Sequence, residues 1–289
     1  MNQRQRRTAF SLLELLVVIG IIALLAGLLL PALRAVQSSG AKAREIAAAR
    51  QLMVGFTAYA QDHRGAVIPG YDDIHDLPAA DESGRPIVDI ISGIQGPLAA
   101  ARYPWRLAPY VDYDFRGLYL DRTIREAIEA DTTDYHYLIS LFPSFGMNST
   151  FVGGDTSDEG LAGPPYDSFY GTFYITRLSQ PRHPAELMVF TSARSNGTQV
   201  YPVGNLPDLI EGYFKVTPPY LTGDRLWADR YEPNGLASDF GFVSLRDSRH
   251  AVMGFFDGHT GQLDEGEIQN MKWWADEATG PDWRLTPAP

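Results

Sequence analysis

The chain has 289 residues, enough for one ordinary domain with an extension or for two small domains, and its 45% hydrophobic content supplies the core that disordered sequences lack. A formal net charge of −11 speaks against general nucleic-acid binding, which relies on a basic surface, so no nucleic-acid partner is expected. With no cysteine there is no disulfide framework, and the fold must be held by its core, its hydrogen bonds or a bound ion.

The first element is the N-terminal segment. Arg4, Arg6 and Arg7 precede a 21-residue stretch, residues 10–30, in which Glu14 is the one charge. That length suits a helix crossing a hydrocarbon core ~30 Å thick. A charge inside such a segment costs ~2.5–3.5 kcal/mol, which makes Glu14 a candidate functional residue. The arginines ahead of the stretch predict a cytoplasmic N-terminus, with the rest of the chain on the far side. An ordinary secretory signal fits less well. Residues 15–30 form a run of 16 apolar residues, longer than the usual ~7–15, and the Ala41-Lys42-Ala43 tripeptide lies well past it in a continuing helical pattern.

Basic leader, Phe10, Glu14 four residues on, apolar run and Pro31 at its end together resemble the class III signal of type IV pilins and type II secretion pseudopilins. Ser11, Leu12, Leu13 and Glu14 fit the Phe-Thr-Leu-Ile-Glu block of that family. The resemblance implies that a prepilin peptidase cuts between Ala9 and Phe10 and methylates Phe10. The family normally places Gly before the cut; Ala9 is small enough for a tight subsite, and the departure bears on the rate of processing. Cleavage removes three arginines and leaves the mature form three units more negative. It also leaves an ammonium at Phe10. Opposed charges in a low dielectric offset part of each other's cost, and the family reading pairs Glu14 of one subunit with the N-terminal amine of a neighbour to set filament register. The other reading of Glu14 is an interfacial carboxylate that snorkels to the headgroups.

Beyond Pro31 the Ala-rich pattern stays helical to about residue 62, with Gly20, Gly27 and Pro31 as expected places of bending. The expected organisation is a leader over 1–9, a long helix over 10–62 that is transmembrane over 10–30, and a head over 63–289. Residues 63–104 are punctuated by Gly and Pro and read as a long loop region with short strands at best. Tyr103-Pro-Trp-Arg-Leu-Ala-Pro-Tyr110 is an aromatic cluster whose Trp105, Leu107 and Tyr110 read as core. It resembles a segment of large pseudopilin-like proteins of the planctomycete and verrucomicrobial kind, as does Phe145-Gly-Met-Asn148. A short helix is expected over 121–130. Strands are expected over 139–145, 169–178, 187–191, 212–216, 240–245 and 251–256. Asp257-Gly258 reads as a tight turn, and Asp264 with Glu267 as the N-cap pair of a final helix that carries Trp273 and Trp274. The segment from Arg249-His250 through Asp257-Gly258-His259 to that helix resembles the C-terminal block of the same relatives.

Two clusters invite chemistry. His250, Asp257 and His259 could in principle hold a transition metal, but their spacing matches no recognised catalytic set, and they read as structural residues of the turn. Asp155, Asp158 and Glu159 gather oxygen ligands of the kind calcium prefers; the alternative is a solvated acidic loop, and the pattern is not an EF-hand. No phosphate-binding loop or hydrolase triad is visible, so no catalytic residue and no organic cofactor are expected. The expected fold is α+β, type IV pilin-like: a long N-terminal transmembrane helix packed on an antiparallel-sheet head. The expected function is that of a structural subunit of a type II secretion pseudopilus or related type IV pilus-like filament, homo- or hetero-polymeric. Its expected partners are the prepilin peptidase, other pilin or pseudopilin subunits, an inner-membrane assembly platform and the lipid bilayer, with the head periplasmic or extracellular. The alternative is a membrane-tethered minor pilin or binding module that contacts polysaccharide or secreted cargo, a reading that exposed aromatics such as Tyr166, Tyr170, Tyr220 and Trp227 favour if they cluster on one surface.

Overall fold

A computed structural model describes residues 12–73, 79–87, 89–91, 94–96, 98–115, 118–130, 134–157, 160–163, 166–201 and 206–288. Its first element, α1 (Leu12–Asp62), is one continuous helix, and Pro31 lies inside it. It stops at a left-handed cap: Arg64 has φ 55° and the Gly65 N–H reaches back to the Ala60 carbonyl at 2.7 Å, the six-to-one bond of a Schellman motif. Two compact units divide the chain at Ala43/Arg44, within this helix. The second unit, residues 44–289, takes in the last turns of α1 together with the expected head.

The remaining elements in order are β1 (Asp89–Ile91), β2 (Ile94–Gly96), α2 (Leu98–Ala101), α3 (Tyr103–Leu107), α4 (Arg122–Ala130), α5 (Tyr135–Leu141) and β3 (Phe145–Met147). They are followed by α6 (Tyr166–Tyr170), β4 (Met188–Ser192), β5 (Ser195–Asn196), α7 (Gly197–Val200), β6 (Leu209–Ile210), β7 (His250–Phe255) and β8 (Thr260–Asp264). The central sheet is four-stranded and antiparallel in the order β3-β4-β7-β8. Every residue of β4 is buried, as a strand covered on both faces requires.

Ala48, Ala49, Leu52, Met53, Phe56 and Tyr59 form the buried stripe of α1, at the three- and four-residue spacing of one helical face. Phe56 meets Phe190 of β4 and Phe256 edge-on, with ring centroids 6.1 and 5.5 Å apart. Gly254 of β7 lets the helix come close: a Cβ there would stand 2.5 Å from Met53 Cγ.

Several expected strands differ. Residues 139–145 divide between α5 and β3, because the mixed apolar run serves a helix equally well and the surroundings use it so: Trp105 Nε1 donates to the His136 carbonyl at 2.8 Å, and the Tyr119 hydroxyl donates to that of Ile139. Residues 169–178 begin in α6 and turn at Gly171, φ 71°, leaving only isolated bridges at Ile175 and Arg177. Residues 212–216 and 240–245 likewise make single bridges, at Lys215 and Val243. The capping pair forms in full, with Glu267 N–H donating to Asp264 Oδ1 at 2.8 Å and Asp264 N–H to Glu267 Oε2 at 3.0 Å. It opens two 3-10 turns, Glu267–Gln269 and Met271–Trp273, in place of an α-helix.

Among the described residues no helix is long and apolar enough to cross a membrane. In the sequence the apolar run begins at Phe10, outside the described residues, and the side chains of Glu14, Leu28 and Pro31 lie outside them too.

Candidate functional site

The N-terminal half of α1 has no interior. Leu12, Leu24 and Leu29 are 83%, 67% and 66% exposed, and the described apolar side chains between them point outward on every side of the helix. An apolar surface of this kind is one that a protein interior or a membrane buries. Ala9 and Phe10, the expected processing junction, are outside the described residues; Glu14 lies within α1, its side chain outside them.

The C-terminal half is tied to the head by a buried charge network that the sequence reading missed. Glu45, 4% exposed, accepts from Arg246 Nε at 2.7 Å and from Ser192 Oγ at 2.6 Å. Arg246 Nη1 reaches Glu211 Oε2 at 3.1 Å, and Nη2 donates to the Ser144 carbonyl at 2.8 Å. Burial alone lowers the Arg246 pKa, but Glu45 and Glu211 outweigh it and the net shift is upward. The available signal was the position of Glu45, three and four residues ahead of Ala48 and Ala49 on the buried stripe.

The C-terminal hairpin separates the histidines. Gly258 has φ 92° and donates to the Phe255 carbonyl at 2.8 Å, while Phe255 N–H donates to His259 O at 2.9 Å, a three-residue loop with glycine in the left-handed position. Asp257 Oδ1 accepts from the His259 backbone N–H at 3.0 Å and from its Nδ1 at 2.5 Å, and the imidazole stacks on Phe255, centroids 4.4 Å apart. Partial burial raises the Asp257 pKa, but the bonds from His259 outweigh it and lower the net value. His250 stands at the other end of β7, opposite Asp264. It belongs to a different tight turn, in which its N–H donates to the Asp247 carbonyl at 2.8 Å and its Nδ1 to that of Ser248 at 2.9 Å. The structure therefore does not bring His250 together with Asp257 and His259.

In the acidic loop Asp155 turns inward. Its Oδ2 lies 3.3 Å from both Lys215 Nζ and Ser149 Oγ, and its Oδ1 accepts from Ser157 N–H at 3.0 Å and Ser157 Oγ at 2.5 Å. Lys215 thus stands as a cation beside the carboxylate named as a calcium candidate. Asp158 and Glu159 lie outside the described residues. Among the described residues no three His, Asp or Glu side chains gather as a metal site. Of the four aromatics whose clustering would favour the binding-module alternative, Trp227 is not on the surface. Trp227 is core, 4% exposed, packed between Phe240 and Trp274, and Tyr220 lies under the Arg284 guanidinium at 4.8 Å.

Comparison with known proteins adds one match. A family model described as the prokaryotic N-terminal methylation motif matches residues 4–30. No curated protein and no solved structure matches the chain. Residues 4–30 therefore carry a type IV pilin-like signal, a substrate signal for prepilin peptidase.

Proposed function

We propose that the chain is a structural subunit of a type II secretion pseudopilus or a related type IV pilus-like filament, matured by a prepilin peptidase between Ala9 and Phe10 and methylated at Phe10. The observation that carries this reading is the methylation motif over 4–30, which overlaps a helix whose described apolar side chains over residues 12–30 are exposed. In this reading residues 10–30 anchor the protein in the inner membrane, the arginines of the leader stay cytoplasmic, and the head lies outside. In the assembled filament the same apolar surfaces pack against neighbouring subunits. Glu14 meets the new N-terminal amine of a neighbour, so that two costly charges offset one another in lipid. The chain's own role is structural rather than catalytic, and no ion is required for it.

Glu14→Ala tests the assembly part. Removal of a charge from an apolar segment should leave membrane insertion intact while filament incorporation is lost. Incorporation at the wild-type level would leave Glu14 as an interfacial carboxylate and remove the register role.

A further inference from the structure

Lys215 and Asp155 meet in the interior of the head. Their side chains are 6% and 7% exposed, and Nζ lies 3.3 Å from Oδ2, which is one bond from the carboxyl carbon Cγ. Lysine is almost never buried unless it is paired, because its ammonium is costly to strip of water. Both backbones are pinned. Asp155 forms a parallel bridge with Tyr71, and its carbonyl accepts from Ala162 N–H at 3.0 Å. Lys215 is bridged to Met147 of β3: Met147 N–H donates to the Phe214 carbonyl at 2.9 Å, and Val216 N–H to that of Met147 at 3.0 Å. The fold thus fixes amine and carboxyl side by side, which removes much of the entropy cost of a reaction between them.

The carboxyl is held unevenly. Its Oδ1 accepts from Ser157 N–H at 3.0 Å and from Ser157 Oγ at 2.5 Å, whereas Oδ2 faces Lys215 Nζ and Ser149 Oγ, each at 3.3 Å. Two fixed donors on one oxygen are what a developing oxyanion needs. The other oxygen, beside the protons of the amine, is the one placed to leave. Nζ lies 5.7 Å from the centre of the Phe214 ring, and the buried Arg102 guanidinium lies 4.8 Å from the same centre. A dry site with a second cation nearby is the setting that turns lysines into nucleophiles.

We propose that Lys215 and Asp155 condense into an intramolecular isopeptide bond. One proton moves from Nζ to Oδ2, leaving an amine and a carboxylic acid with no charge held out of water. The amine attacks Cγ, and Oδ1 carries the negative charge against the Ser157 N–H and hydroxyl. A second proton then passes from nitrogen to Oδ2, the Cγ–Oδ2 bond breaks, and Oδ2 leaves as water with both protons. An N–C bond replaces a C–O bond, with no oxidant and no second substrate. The product ties residues 60 apart in a chain that has no cysteine, and it restricts the unfolded chain as a disulfide does.

The test is the intact mass of the full chain, expressed without a prepilin peptidase and purified in maltoside micelles, followed by tandem mass spectrometry of a protease digest. The mass should fall below that of the sequence by one water, and the digest should contain a branched peptide joining Lys215 to Asp155. Lys215→Arg keeps the charge but has no amine to condense, and it should show the unmodified mass. A wild-type chain that melts cooperatively yet has its full sequence mass would overturn the proposal. So would a water loss that persists in Lys215→Arg, or one located elsewhere, such as a succinimide at Asp257-Gly258.

Discussion

Leu24 and Leu52 sit on the same helix, one 67% exposed and the other fully buried. Over residues 12–30 apolar side chains surround the helix, and those described are exposed. From residue 44 onward a buried apolar stripe appears on one face, the opposite face is mostly polar with Val54 as an exposed exception, and the stripe is packed on β4 and β7. Helical propensity is high in both halves, so it cannot be what separates them. The distribution of apolar residues around the axis does so: all round demands a partner from outside, one face demands only a sheet.

The contrast breaks most visibly at Phe56, which is fully buried between Phe190 and Phe256. Phe56→Ala should destabilise the head by about 3–5 kcal/mol, since a large core side chain leaves a cavity. Leu24→Ala should leave the head's stability unchanged. Urea denaturation of the two variants measures both effects, and equal losses would erase the distinction between the halves.

Glu45→Ala should cost up to about 3 kcal/mol, because it strands a largely buried guanidinium whose remaining charge partner among the described residues is the partly exposed Glu211. Replacing Arg246 by Met in the same background should recover part of that loss. A double variant as unstable as the sum of the two single ones would mean that Glu45 and Arg246 do not act as a pair.

Away from the helix the effects shrink. Gly258→Ala should cost about 1–2 kcal/mol: space around the site is open, so the penalty is that of a side chain at φ 92° alone. An alanine variant with an unchanged melting temperature would remove the positive-φ requirement.

The smallest effect is a pH dependence. The Asp257 pKa is lowered in the fold, so its contribution is present above the ordinary carboxylate value and fades as pH falls through the lower folded value. Asp257→Asn should therefore be slightly less stable than wild type at neutral pH and equal to it in strong acid. A gap that widened on acidification would reverse the assigned sign.

Residues whose neighbours in sequence carry the information were legible. The apolar run, Gly258 in its turn, and the Asp264–Glu267 capping pair all act within a few residues of themselves. Where a partner lies far along the chain, the reading failed. Arg246 is 201 residues from Glu45, and nothing near either names the other. Residues 139–145 and 169–178 carry short mixed apolar runs that suit helix or strand, and the deciding contacts, such as Trp105 on His136, come from elsewhere in the fold. The ring cluster around Trp105 has the same character: Trp105 read correctly as core, but Phe115 and Tyr135 meet it from other parts of the chain, and those contacts exist only in the folded head.

The account rests on maturation of the N-terminal segment, and mass analysis of the protein isolated from its native membrane tests it most directly. The predicted product begins at Phe10 and carries one methyl group on its amine, with residues 1–9 absent. A product that retains the leader, or one that begins at residue 44 after the Ala41-Lys42-Ala43 tripeptide, would contradict it and leave the exposed apolar half of α1 without its proposed role.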